Sequence, residues 1–210
     1  MSLLPRPSVT TQRQLTLGMQ LLLFAIVVYG LYAGQPKAII NGGVGLGVTL
    51  LPALVRRNYQ FSLDPWLGLW ITTAVFLHTL GSAGLYAQFA WWDSVTHALS
   101  ASLVAGAGYT AARVFDLHSD EIHIPRQFVF VYLFIVVLAF GVIWELFEFG
   151  LDLIAAETGL TMPLAQHGLD DTVVDMVYNS VGALLVALFG QAHLTGVAES
   201  VRDRVWSPEA

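Results

Sequence analysis

The apolar positions of this chain come in runs of roughly 20 residues, the length that crosses a bilayer core as a helix. Six runs are legible, at about 15–32, 38–55, 66–86, 93–114, 127–154 and 172–193. Gly34, Gln35 and Pro36 break the first from the second, and a polar stretch at 56–64 separates the second from the third. A very short aromatic turn at 87–92, with Trp91 and Trp92 suited to a membrane interface, leads into the fourth. A polar loop at 115–125 precedes the fifth, and a loop holding His167 and Asp170 precedes the sixth. The expected fold is therefore all-α: a polytopic membrane helical bundle of about six transmembrane helices, forming one integral membrane domain over residues 1–210. The first run is long and lacks a small-residue cleavage site, so it reads as a retained span and not a signal peptide.

The second run is rich in glycine, and Gly43 and Gly47 form a G-x-x-x-G pair. A phosphate loop needs a preceding strand and a closing Gly-Lys-Ser/Thr, and neither is present, so close helix packing is the expected role. The fourth run is lined with small residues, Ser100, Ser102, Gly106 and Gly108, and is expected to pack centrally.

Composition agrees with lipid as the main solvent. The chain is 56% hydrophobic and 11% charged, against about 25% charged in a soluble domain, and its mean hydropathy is +0.66. The net charge of −6 gives no reason to expect nucleic-acid binding. With no cysteine, disulfides, thiolate metal sites and cysteine nucleophiles are excluded. With six spans both termini share a side, which holds Arg6, Arg13, Arg56, Arg57, Arg113, Arg126, Arg202 and Arg204, while the other side holds only Lys37. The positive-inside rule then puts both termini in the cytoplasm of a multi-pass protein of the cell membrane.

The polar residues inside the apolar runs are the informative exceptions. Glu145, Glu148 and Asp152 are spaced three and four residues apart and share one helix face. Asp93 and His97 are one turn apart, and so are Asp171, Asp175 and Asn179; His78 lies near the far end of the third run. In the expected orientation all of these fall in the outer part of the membrane, where Asp93, Glu145, Glu148 and Asp175 meet no basic residue but Lys37. Carboxylates crowded in low dielectric cannot all stay ionised without compensation. Protonation, pairing with the imidazolium of His78, His97 or His167, or a bound cation would each supply it. A metal set of His78, Asp93, His97, Glu145, Glu148 and Asp175 is expected, with Asp171 and Asn179 in support. Mixed His/Asp/Glu ligands suit Zn²⁺, Mn²⁺ or Fe²⁺, and an all-oxygen subset suits Mg²⁺ or Ca²⁺. Plainer roles exist for several of them. Asp93 and Asp171 are suited to capping the helices they open; Asn179 and Gly182 suit interhelical packing; Asp152, Glu157, Asp170, His118 and His123 suit a solvated surface.

Asp93-x-x-x-His97, Glu145-x-x-Glu148 and Asp175-x-x-x-Asn179-x-x-Gly182 on successive spans resemble the VanZ-like membrane superfamily. His78-Thr-Leu-Gly81, the following Tyr86 and the paired glutamates are closer to its YjdF-type branch. The resemblance covers about residues 75–190. Glu148 stands where the VanZ branch usually has glutamine, and Ser82 where the YjdF-type branch usually has a second glycine. The resemblance implies a polar membrane site and brings no reaction with it.

Three functions stay open. The first is a metal-dependent enzyme acting on a lipid or lipid-linked envelope substrate, with Glu145 or Glu148 as general base and His97 as ligand or acid. The second is an ion- or proton-coupled transporter, for which the cytoplasmic half offers few polar residues besides His193. The third is a non-catalytic membrane scaffold locked by its polar cluster.

Overall fold

A computed structural model describes residues 7–59, 64–119, 121–159 and 168–206, the side chains of 55–59 and 191–192 excepted. His167, considered above as an imidazolium partner, and Arg6, counted in the charge bias, lie outside the described residues, as do the side chains of Arg56 and Arg57. Six long helices are found among the described residues: α1 (Val9–Ala33), α2 (Pro36–Tyr59), α3 (Pro65–Leu80), α4 (Ala90–His118), α5 (Arg126–Thr158) and α6 (Leu169–Trp206).

The boundaries follow local chemistry. Ser8 caps α1 by accepting from the Thr11 N–H at 3.1 Å, and α1 ends at Gly34, whose left-handed φ of 63° costs glycine nothing. Pro36 opens α2 and Pro65 opens α3, positions where the missing N–H goes unused. Asp64 caps α3 by accepting from the Trp66 N–H at 2.9 Å. The sixth helix runs to Trp206, well past the expected end at 193, because the polar segment after the apolar run stays helical.

Among the described residues, five helices are long and apolar enough to cross a membrane: α1, α2 up to Leu54, α3 with its continuation to Gln88, α5, and α6 up to Gly190. The fourth helix has the length, at 29 residues, but serine, threonine and glycine dilute its apolar character. Ala101, Ser102, Ala105, Tyr109 and Ala112 along it are buried against protein. Six spans are compatible with this arrangement. The membrane-facing pattern is plainest in α5, which is inverted relative to a soluble helix: Leu133, Val137, Gly141, Glu145 and Glu148 form its buried stripe, while Ile143, Leu146, Phe147 and Phe149 are exposed.

The chain forms two compact units. Of the described residues, one unit comprises those within 97–142 and 176–206, and the other those within 7–96 and 143–175. The divisions fall inside α4, α5 and α6, each of which is continuous across them. In the first unit Gly182 of α6 lies so close to α4 that a Cβ there would meet the Ala98 carbonyl, and would stand 2.9 Å from Ala101 Cβ. Gly141 likewise faces Asn179 and Met176 at 2.8 Å from its virtual Cβ. In the second unit α1, α2 and α3 pack on one another. The packing glycines of α2 are not the G-x-x-x-G pair. Gly43 and Gly47 have open space where a Cβ would be, and the close approaches are made by Gly42, where a Cβ would stand 2.9 Å from Val27, and Gly45, where it would stand 2.9 Å from the Thr79 hydroxyl. The four-residue spacing is right for one helix face, but it selects the face turned away from the neighbours.

The third helix does not end cleanly. Gly81–Leu85 form a π turn in which the Tyr86 N–H bonds the Gly81 carbonyl, and Gly84 is non-helical at φ 137°. One further helical turn, Tyr86–Gln88, follows before Phe89 extends the backbone at φ −134° and ψ 99°. The aromatic turn expected at 87–92 is thus confined to this corner, and Trp91 and Trp92 already belong to α4. The Trp92 indole N–H donates to the Leu77 carbonyl at 3.0 Å and ties the corner to α3.

Candidate functional site

The π turn has a consequence for the site. The Tyr86 ring folds back over Gly81 so closely that no Cβ fits there. The fold-back carries its hydroxyl to 2.8 Å from His78 Nδ1 and 3.2 Å from Thr96 Oγ1. Thr96, 1% exposed, donates in turn to the Asp93 carbonyl at 2.8 Å. His78 also meets Trp144 edge to face at 6.0 Å between ring centroids. A hydrogen-bonded chain from α3 to α4 therefore borders the acidic residues. Tyr86 and Thr96 escaped sequence reading as site residues, because the turn that delivers the tyrosine depends on backbone geometry and not on a helical spacing.

Asp93 stands in the first turn of α4, three residues inside its start at Ala90, and does not cap it. Asp171 is likewise inside the first turn of α6, which opens after Gly168, so it is not a cap either. Both carboxylates still sit at the positive end of a helix dipole, which favours negative charge. Asp93 and His97 share one face of α4, His97 being the first residue past the division of that helix. Ligand-capable atoms of Asp93, His97 and Asp175 all lie within 4.8 Å of one another. Asp175 is 2% exposed.

Glu145 and Glu148 do not join that three-residue group but border it. Both are buried, Glu145 at 5% exposure. The Thr172 hydroxyl donates to Glu145 Oε2 at 2.7 Å, a length typical of a charge-assisted bond. Glu145 Oε1 is buried with no hydrogen-bond partner among the described residues. The charges of Glu145, Asp93 and Asp171 all act on Glu148, and those of Asp93, Asp171 and Glu145 act on Asp175. Of the six expected ligands, then, Asp93, His97 and Asp175 are brought to common coordination distance, Glu145 and Glu148 form an acidic wall, and His78 is engaged by Tyr86. Asn179 faces Gly141 at a helix contact. Thr172 was invisible to sequence reading, since a threonine inside an apolar run is ordinary.

Arrangements of this kind can hold a cation on mixed nitrogen and oxygen donors, or share protons among carboxylates, imidazole and phenol. A family model described as "Predicted membrane protein (DUF2238)" matches residues 15–196. The chain is 27% identical over 130 residues to a Thermotoga maritima protein titled "Uncharacterized protein", an alignment covering 61% of this chain and 63% of the relative, somewhat under two thirds of the relative's length. No solved structure matches the chain.

Proposed function

For a chain that belongs to the DUF2238 family of predicted membrane proteins, we propose a cation-dependent role: Asp93, His97 and Asp175 hold a divalent ion, and the protein acts on a lipid or lipid-linked envelope substrate. The observation that carries this reading is the approach of those three donors to within 4.8 Å of one another in a membrane protein. Three protein ligands leave coordination positions open, the pattern of a catalytic rather than a structural site, and one nitrogen with carboxylate oxygens suits Zn²⁺ or Mn²⁺. The ion would supply Lewis acidity to a substrate oxygen or to bound water. The acidic wall supports the fit, because a cation offsets carboxylates that are otherwise costly in low dielectric. Glu145 is suited to take a proton: Thr172 fixes one carboxylate oxygen, and the other is buried and uncommitted. Glu148 adds negative charge beside it and belongs to the same wall. Asp171 supports from the first turn of α6. The likeness to the VanZ-like superfamily, and within it to the YjdF-type branch, supports a polar site in the membrane, and the bias of basic residues supports a site toward the outer leaflet with both termini cytoplasmic.

A specific observation favours a second reading. The Thr96–Tyr86–His78 chain runs beside the carboxylates, and such chains pass protons in ion-coupled transporters.

The test is bound-metal analysis of detergent-purified protein, with melting curves before and after chelation, on the parent and on Asp175→Asn. An ion at 100 times its Kd stabilises the folded state by about 2.7 kcal/mol, so chelation should lower the parent's melting temperature by several degrees. Asp175→Asn should lose the metal and the response together. A parent that takes up none of Zn²⁺, Mn²⁺, Mg²⁺ or Ca²⁺, and melts identically with and without chelator, defeats the ion and leaves the proton-coupled reading.

A further inference from the structure

Away from the acidic site, the first compact unit holds a cavity of about 200 Å³ where α4 ends, α5 begins and the middle of α6 passes. Its polar side is built by Arg113, Asp116 and Arg126, with Tyr109 deeper in, and its apolar side by Phe130 and Leu188 among others. We propose that this cavity binds the phosphate headgroup of an anionic phospholipid, with the acyl chains leaving along α5 and α6.

Three observations carry the assignment. The first is charge. Arg113 and Asp116, one turn apart on α4, form an ion pair, so the cavity's surplus is the single positive charge of Arg126, matched to the single negative charge of a phosphodiester.

The second is that the polar side is held in place. The Asp116 side chain is 8% exposed, and besides pairing with Arg113 it accepts the Ile124 backbone N–H at 2.8 Å through Oδ1. That bond fastens the loop before α5, and with it the approach to Arg126, to the end of α4. The His123 imidazole reaches the same oxygen only at 3.8 Å and is mostly in solvent. Asp116 therefore organises the basic side while its own charge is spent on Arg113 and the loop.

The third is the apolar exit. Phe130 is 40% and Leu188 61% exposed, and both lie on helices that are apolar enough to span, so the cavity opens onto hydrocarbon-facing surface instead of onto a protein interior. A free anion needs the guanidinium alone. A guanidinium with an apolar wall continuing away from it, at the end of a spanning helix, matches an amphiphile. Basic pockets between transmembrane helices bind anionic headgroups in this way, and the bias of basic residues supports a cytoplasmic setting, the leaflet richest in such lipids.

The experiment uses the full chain in detergent, with native mass spectrometry after addition of phosphatidylglycerol or phosphatidylcholine of identical acyl chains. The parent should retain phosphatidylglycerol over phosphatidylcholine, and Arg126→Gln should reduce that preference about fivefold, the factor expected for one basic residue at a membrane surface. Arg126→Lys should keep most of it, and Arg202→Gln, outside the cavity, all of it. Equal retention of the two lipids by the parent overturns the proposal without any variant. So does an unchanged preference in Arg126→Gln, or displacement of the lipid by millimolar inorganic phosphate, which would mark a free-anion site.

Discussion

Thr172→Val is the sharpest perturbation of the acidic wall. The substitution keeps the branched shape and removes the one donor seen among the described residues on Glu145, which is 5% exposed. A hydrogen bond to a charged group contributes about 1.5–3 kcal/mol, and the 2.7 Å separation and the burial both place this one toward the upper part of that range. The single variant also loses a longer contact, 3.3 Å to the Gly168 carbonyl, so its raw cost overstates the pair. A double-mutant cycle with Glu145→Leu removes that error, since the Gly168 contact is lost in both arms and cancels. The assay is denaturation in detergent micelles followed by tryptophan fluorescence for the parent, both single variants and the double variant. The expected coupling is about 2.5 kcal/mol. Thr172→Ser, which keeps the hydroxyl, should recover most of the loss. A coupling below about 0.5 kcal/mol, the ordinary error of additivity, would refute the claim that Thr172 holds Glu145 in place.

Two further outcomes test the packing and the topology. Gly182→Ala should destabilise the protein by about 1–3 kcal/mol, because its methyl group meets α4 backbone that cannot yield without a helix shift, whereas Gly43→Ala should be neutral or slightly stabilising; comparable losses in both melting curves would contradict the packing described for α2 and α6. A reporter fused after Ala210 should be active only in the cytoplasm, and activity on the outer side would overturn the orientation drawn from Arg13, Lys37, Arg113, Arg126, Arg202 and Arg204.

What sequence reading reached, and what it missed, divides by the range of the physics involved. Spans were legible because a bilayer imposes one length and one polarity on every crossing helix, and the apolar stretches of α1, α2, α3, α5 and α6 meet both. The fourth was legible by its length and its lining of small residues, and its apolar character is weaker because it is shielded by protein and needs less apolar surface. The i, i+4 pair Asp93 and His97 was legible for the same local reason, as was the shared face of Glu145 and Glu148. The partner of that pair from another helix was found through charge: Asp175 is an acid inside an apolar run and demands company. Thr172, Thr96 and Tyr86 carry no such demand, and only the fold shows which polar atoms they reach. The G-x-x-x-G pair misled for the converse reason. Spacing defines a face, but the neighbours decide which face is used, and they chose Gly42 and Gly45.

The π turn at Gly81–Leu85 bears on how this site can be lost. The segment joins two helical stretches across a kink at Gly84, whose φ of 137° is open to glycine at no cost, so the direction of everything after it depends on that residue. Tyr86 reaches His78 and Thr96 only with that kink in place. A substitution scan across 81–85 would register the crowding at Gly81 and the positive φ of Gly84, while the side chains of Ser82 and Ala83 have no part in the hydrogen-bonded chain. Deleting either Ser82 or Ala83 would change the spacing between His78 and Tyr86 across the kink and swing the tyrosine away while leaving every polar group of the site in the chain. In genetic terms the arrangement is one codon from being undone, by a gap at 82 or 83 or by a mismatch at either flanking glycine.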